Sequence, residues 1–248
     1  MSSLHKFFVA REQIINNQVT LTGSDVSHIR TVLRLKAGDS IQVISDSDKW
    51  LTVRLVEVKT KEVKGEVIAS EAINVESPLA VHLGQALTKG NKFDVILRKS
   101  VELGVRSITP LMTERCVVKT HRTEVGKKIE RWKKIVLESS KQCGRSKIPL
   151  VAEDVETLET FCRKNDHQDL KLIFWELEEK KTLKDIKLDV QPRSVAVLIG
   201  PEGGFSLAEI ENVREYGFQT VGLGPRILRA ETAPGVALAL LQSRWGDL

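Results

Sequence analysis

Val195-Ala-Val-Leu-Ile-Gly-Pro-Glu-Gly-Gly-Phe-Ser206, a short helical pattern, and then Val221-Gly-Leu-Gly-Pro-Arg-Ile-Leu-Arg-Ala-Glu-Thr232 form the stretch that decides the fold. The apolar run Ser194 to Gly200 has the length and branched content of a buried strand. It stops at Gly200-Pro201, where proline removes a ladder donor. Gly203 and Gly204 permit positive φ and a close approach of backbone to a ligand. Ser206, with Glu209 three residues on, makes a capping box that starts a helix at about Leu207, and Gly217 is placed to end it. A second apolar run, Phe218 to Leu223, ends on Gly224-Pro225. Two strands thus finish in two Gly-Pro loops, and in a parallel α/β sheet both loops lie at the edge where ligands bind.

The chemistry of the loops narrows the ligand. The first loop lacks the G-x-x-x-x-G-K-[ST] pattern and its lysine, so it is not a phosphate loop, and Gly-Pro-Glu-Gly-Gly does not match the dinucleotide fingerprint. Glu202 would set a carboxylate beside an anion; it suits ribose hydroxyls or a cation. The second loop carries Ile227-Leu228 between Arg226 and Arg229, and backbone amides with apolar walls suit a purine ring. Taken singly, each loop reads equally well as an ordinary strand-to-helix turn.

At 248 residues, 41% hydrophobic and 29% charged, the chain is long enough for one large domain or two unequal ones. No apolar segment reaches the ~18 residues of a membrane span, and Met1 to Arg11 lacks the apolar run of a signal peptide. Cys116, Cys143 and Cys162 are far apart and odd in number, which points to reduced thiols in the cytoplasm. His5, His28, His82, His121 and His167 form no ligand-spaced pair with each other or with cysteine, so no metal is expected. The net charge of +5 is unevenly spread: Arg115 to Lys147 holds 11 Lys/Arg against 3 Glu, a local +8, which leaves −3 for the remainder. Such a block is the footprint of a nucleic-acid binder; the alternative is a solvated helix face.

Residues 1 to 72 are β-rich, with strand-like runs at Phe7–Val9, Val19–Leu21, Ser40–Ile44, Leu51–Val58 and Gly65–Ala69. Asp25 to Arg34 is their one helical stretch. A small barrel of this kind serves as a binding module, with Arg30, Arg34 and Lys36 as exposed cations. Glu71 to Pro78 reads as a linker. From residue 73 to 248, strands alternate with helices: a strand at Leu79–Leu87, a helix to Leu103 stopped by Gly104, a strand at Ser107–Met112, and a long basic helix at Thr123–Lys141. In the first helix Phe93, Leu97 and Val101 form the buried stripe, while Asp94, Arg98 and Glu102 lie four apart on an exposed face. A short strand at Pro149–Ala152, a helix at Val155–Arg163 and a strand at Leu170–Trp175 follow. The last helix, about Glu231 to Trp245, tolerates Pro234 in its first turn. It is apolar almost all round over Val236–Leu241, so it must be covered by core or by a partner subunit. The alternation predicts an α/β domain with a mostly parallel sheet and helices on both faces.

These residues resemble the RsmE-type ribosomal RNA methyltransferases of the SPOUT superfamily. The resemblance rests on Ile199-Gly-Pro-Glu-Gly-Gly-Phe-Ser, Leu223-Gly-Pro-Arg-Ile-Leu-Arg-Ala-Glu-Thr-Ala and Arg244-Trp-Gly-Asp. His28-Ile-Arg-Thr-Val-Leu-Arg, Lys99-Ser-Val-Glu-Leu-Gly-Val, Glu114-Arg-Cys and Gln142-Cys-Gly-Arg145 extend it over nearly the whole chain. It implies an N-terminal PUA-like β-barrel and a C-terminal SPOUT-like α/β domain with a deep trefoil knot at about 195–245, an exception to the unknotted rule. It implies S-adenosylmethionine as cofactor and N3 methylation of uridine 1498 of 16S rRNA in the small subunit. It also implies a homodimer through the knot helices. Ile199, Gly200, Glu202 and Gly203 of the first loop, and Leu223, Gly224, Ile227, Leu228 and Thr232 of the second, would line the cofactor. N3 lies on the pairing edge of uracil, so the base must be unpaired or flipped. Negative charge grows on it as the N3 proton leaves; Arg226 and Arg229 are the candidate cations and Glu231 the candidate base, unless Arg229 and Glu231 merely anchor the knot to the last helix. Lys6, Arg30, Arg34, Lys92, Arg115, Arg122 and Arg145 are the candidate RNA contacts.

Two departures stand out: Lys6 occupies a position where the family usually has Arg, which is not equivalent for bidentate contacts, and Trp175-Glu176 replaces a frequent His-Pro pair. Other functions remain open on sequence alone: a SPOUT 2′-O-ribose methyltransferase, disfavoured because no Asn/Ser motif stands out, and a non-catalytic RNA-binding module.

Overall fold

The computed structural model describes residues 4–45, 49–72, 75–117 and 122–248, with the side chains of 122–124 outside that description. The chain divides into two compact units, Met1–Glu76 with Ser140–Lys147, and Ser77–Ser139 with Ile148–Leu248. The last turn of the basic helix and the four residues after it, Ser140–Lys147, group with the first unit.

The first unit holds β1 (Lys6–Phe8), β2 (Ile14–Ile15), β3 (Gln18–Thr22), β4 (Ser40–Ile44), β5 (Lys49–Val58) and β6 (Glu62–Ala72) in one sheet of order β1-β4-β5-β6-β3-β2. Alternation sends Val19, Leu21, Ile41, Val43, Val53 and Leu55 inward onto Phe7, Val26 and Ile29. Strand β6 runs on into the predicted linker, and β1 and β2 stand at the two ends of the strand order. The single predicted helix is α1 (Ser24–Ser27) followed by a π-helical turn, His28–Val32, and Arg34 sits at φ 55°. Arg30 and Arg34 are exposed, whereas Lys6 is half-buried with its ammonium 5.4 Å from the Trp50 ring.

Arg145, predicted to touch RNA, is 6% exposed and bound to Glu76: Nη2 donates to Oε2 at 2.6 Å. A buried guanidinium needs a partner, and Glu76 supplies it while also accepting from the backbone N–H of Ser146 at 2.9 Å and of Lys147 at 3.0 Å. Burial raises the Glu76 pKa, but Arg145 and those two amides outweigh it and hold the carboxyl below its ordinary 4.5. A depressed folded pKa stabilises above the unfolded value and is lost as pH falls through the folded one. Glu76→Ala is therefore expected to cost about 3–5 kcal/mol at neutral pH, and the gap from wild type to narrow below pH 4.5, as read by denaturant melts across pH.

The second unit is a parallel sheet of β7 (Ala80–Ala86), β8 (Ser107–Met112), β9 (Leu150–Val151), β10 (Glu156–Thr157), β11 (Leu170–Phe174), β12 (Ser194–Ile199) and β13 (Gln219–Val221). The order is β10-β8-β7-β12-β11-β13, with β9 also on β8. Strand β12 is buried along its length: Val195, Val197 and Ile199 enter one core, Ala196 and Leu198 the other. A strand covered on both faces is apolar throughout rather than alternating, which is the pattern read from Ser194 to Gly200.

Helices α2 (Lys92–Glu102) and α3 (Arg122–Cys143) flank the first core, into which Phe93, Leu97, Val101, Ile129 and Trp132 point. Asp94 is buried, not exposed as its spacing predicts, because Arg131 of α3 pairs with it. The helix predicted from Val155 begins later: Glu156–Thr157 pair with β8 as β10, and Thr157 caps α4 (Leu158–Lys164) by accepting from Thr160 N–H at 3.2 Å. Helix α5 (Leu207–Glu215) starts on the predicted capping box, with Ser206 Oγ 3.2 Å from Glu209 N and Glu209 Oε2 2.9 Å from Ser206 N. Gly217 ends it at φ 80°. Helix α6 (Ala233–Trp245) carries Pro234 in its first turn and buries Ala237, Leu238, Leu241 and Trp245, while Leu240 stays 43% exposed.

Candidate active site

Parallel pairing sets the ends of β7, β12, β11 and β13 along one carboxyl edge. The chain enters the sheet at β7, extends to β8 and β10 on one side, and then builds β11, β12 and β13 on the other. The switch point lies between β7 and β12, where such sheets bind ligands. The loop Gly200–Phe205 therefore neighbours the start of α2, and Trp175-Glu176, which follows the central β11, lies between the two Gly-Pro loops.

Glu202 leaves the first loop toward α2. Its Oε1 accepts from Lys89 N–H at 3.1 Å and Lys92 Nζ at 3.0 Å. Burial pushes its pKa up, but Lys92 and the backbone donors more than offset this and hold the carboxyl low. Lys92 is raised in turn, chiefly by Glu202. Its Nζ also lies 3.6 Å from Glu231 Oε2, and Glu231 Oε1 lies 4.0 Å from Arg229. Glu231 Oε2 is buried and has no hydrogen-bond partner among the described residues.

The other predicted residues divide by burial. Ile199 is core, so it can offer a ligand only its backbone. Gly200 and Gly203 lie in the loop with negative or extended backbone; of the glycine pair only Gly204 takes positive φ, at 66°. Gly224 does so at 100°. Leu223 and Leu228 are half-buried; Arg226, Ile227, Arg229 and Thr232 are exposed, Ile227 at 81%. Arg115 serves the first loop, donating from Nη1 to Gly203 O at 3.0 Å. Arg122's side chain lies outside the described residues.

Three residues of this edge carry no local motif. Gln85 is fully buried; its Nε2 donates to Ala86 O at 3.0 Å and to Gly200 O at 3.4 Å, and its Oε1 finds no donor among the described residues. Thr88, 6% exposed, is likewise unpartnered at Oγ1. A polar pair at the end of an apolar strand is the only sequence signal for them. The third is Glu176: a Cβ on Gly204 would fall 1.7 Å from its Oε1, so the absent side chain of Gly204 is what admits this carboxylate.

The segment after β11 is tied to the second loop. Glu178 accepts from Thr220 Oγ1 at 2.8 Å, Lys181 O from Gly222 N–H at 2.8 Å, and Thr182 bridges to Gly222. Arg244 of α6 donates to Leu183 O and, at 2.7 Å, to Ile186 O.

This edge combines a topological switch point, two glycine loops and a lysine between two carboxylates. The model of an RNA methyltransferase domain matches residues 75–242, and that of an RNA methyltransferase PUA domain matches residues 21–68. The chain is a member of the ribosomal RNA small subunit methyltransferase E family: it is 36% identical to the Buchnera aphidicola enzyme of that name over 94% of each chain, and 34% identical to the Bacillus subtilis enzyme over 90% of this chain and 88% of that one. Its fold matches a Legionella pneumophila methyltransferase solved with bound S-adenosylmethionine (TM-score 0.90, 38% identity, 99% of each chain). It also matches the Neisseria gonorrhoeae ribosomal RNA small subunit methyltransferase E bound to S-adenosylmethionine (TM-score 0.86, 32% identity, 99% of each chain).

At Gly222 two segments pass close together: a Cβ there would fall 2.2 Å from Glu178 O, a backbone atom that cannot swing away. Gly222→Ala is expected to cost about 1–3 kcal/mol and to lower the melting midpoint by several degrees, measured calorimetrically without cofactor.

Proposed function

We propose that the chain is an S-adenosylmethionine-dependent enzyme that methylates N3 of uridine 1498 of 16S rRNA in the small ribosomal subunit, in the cytoplasm. The observation that carries the reading is the convergence of Lys92, Glu202 and Glu231 with two glycine loops on one carboxyl edge. Family membership supports it, as do the two relatives that hold the same cofactor.

The edge fits that cofactor. It has no phosphate to bind, and the loops offer backbone and apolar walls at Leu223, Ile227 and Leu228, beside the buried Gln85 Oε1 and Thr88 Oγ1 that have no partner among the described residues. Gly200, Gly203 and the backbone of Ile199 would border the ribose and methionine, with Glu202 and Thr232 near by, and Leu223, Gly224, Ile227 and Leu228 would hold adenine. When bound there, the cofactor would supply an electrophilic methyl group for N3. Glu231 takes the N3 proton on Oε2, which makes no hydrogen bond and pairs loosely with Lys92. Arg226 and Arg229, both exposed, face incoming RNA, and Arg30, Arg34 and Lys6 are the candidate RNA contacts of the PUA-like unit. The passage of Lys181 beside Gly222, locked by Arg244, supports a deep trefoil knot over about residues 195–245.

The chemistry is tested by primer extension on small-subunit rRNA after incubation with protein and S-adenosylmethionine. A methyl on the pairing edge halts reverse transcriptase, so one new stop in the decoding region is expected; methyl incorporation without a stop would move the reaction to ribose or another non-pairing position.

We also propose a homodimer through α6, whose Val236, Ala239 and Leu240 face away from the covered stripe. Sedimentation at micromolar concentration is expected to give twice the 27.8 kDa chain mass; a monomer would leave that face without its partner.

A further inference from the structure

Resting on the proposed reaction, we infer that Lys92, rather than Arg226 or Arg229, is the catalytic cation: its ammonium faces a carbonyl oxygen of the target uracil and holds the negative charge that develops as N3 loses its proton to Glu231.

The inference follows from how the fold treats its cations. A group that stabilises charge in a transition state must be held in place beforehand, so that no reorganisation is needed as the charge appears. Arg229 is 85% exposed at its side chain, with one carboxylate at 4.0 Å, and Arg226 is exposed as well. Neither is held. Lys92 begins α2 and is fixed from two directions, by Glu202 of the first loop at 3.0 Å and by Glu231 after the second at 3.6 Å. The charged groups facing it are those two carboxylates, with Arg229 behind Glu231 and the Lys89 backbone N–H on Glu202. An ammonium has three donors; the two carboxylates take two directions and leave a third.

The carboxylates differ in a way that fits two roles. Glu202 Oε1 is saturated by Lys89 and Lys92, which suits a group that positions. Glu231 Oε2 makes no hydrogen bond, only the looser 3.6 Å ion pair with Lys92, which suits a group that accepts a proton. In the step, the N3–H bond breaks, its proton passes to that Glu231 oxygen, and the pair left on nitrogen is delocalised onto the uracil oxygens beside Lys92.

A purely architectural role for Lys92, tying one loop to the other, is the competing account, and the two separate experimentally. Lys92→Met is expected to bind S-adenosylmethionine within a few-fold of wild type by calorimetry, to keep its KM for small subunits within a few-fold, and to lose about 10²–10³ in kcat. Lys92→Arg is expected to regain part of kcat, while Arg226→Met and Arg229→Met act mainly on KM. Cofactor affinity falling in step with activity, near-normal kcat in Lys92→Met, or no recovery in Lys92→Arg would overturn the assignment. Wild type that binds cofactor but methylates no uridine would sink the proposed reaction instead.

Discussion

The site depends on one constraint: β12 pairs in parallel register with β7 on one side and with β11 on the other. Because all three run the same way, the residues that follow them emerge together, and the crossovers are forced onto the two faces of the sheet. That geometry requires β12 to shed water from both faces, which it does by sending Val195, Val197 and Ile199 into one core and Ala196 and Leu198 into the other. At roughly 1.5–3 kcal/mol per fully buried large apolar side chain, this strand can anchor loops that contribute little stability of their own. The loops are thereby free to carry glycine, exposed Ile227 and charge.

Charge is the second layer. Partly exposed ion pairs contribute little to stability, typically 0–1 kcal/mol, so the Lys92 cluster is poorly explained as a fold stabiliser. What it does is geometric: a single ammonium ties the loop after β12 to the end of the loop after β13. Arg115 acts similarly from the end of β8, through Gly203 O, and Gln85 from beneath, through Gly200 O. The first loop is thus held by the three strands on its side of the sheet, while the second is held by the Glu178–Thr182 segment and by Arg244 through that segment.

What the sequence reveals and what it hides divide along range. The capping box at Ser206 and Glu209, the stops at Gly104 and Gly217, Pro234 in a first turn and the continuous apolar run of β12 are decided within a few residues, and each is legible in the chain. Asp94 and Arg145 are misplaced by sequence alone because their burial depends on Arg131 and Glu76, partners 37 and 69 residues away. A helix wheel or a charge count treats both as solvated. The short β10 strand is hidden for the same reason: Glu156–Thr157 become a strand only because β8 offers an edge to pair with. The π-helical turn at His28–Val32 has no periodicity of its own to announce it.

Strand order is the least legible quantity and the one that matters most for the site. Nothing in the residues after β11 identifies them as site residues; Trp175-Glu176 reads only as a departure from a related pattern. Yet β13 lies beyond β11 while β12 lies before it, so whatever follows β11 must stand between the two glycine loops. The accommodation is visible in Gly204, which adopts φ 66° and whose missing Cβ leaves the space that the Glu176 carboxylate fills. Had an alanine stood there, Glu176 would be expelled, and had a neutral residue followed Trp175, the edge would lack one of its carboxylates. The glycine and the glutamate are therefore two halves of one local solution, set 28 residues apart and joined only by the order in which the sheet is built.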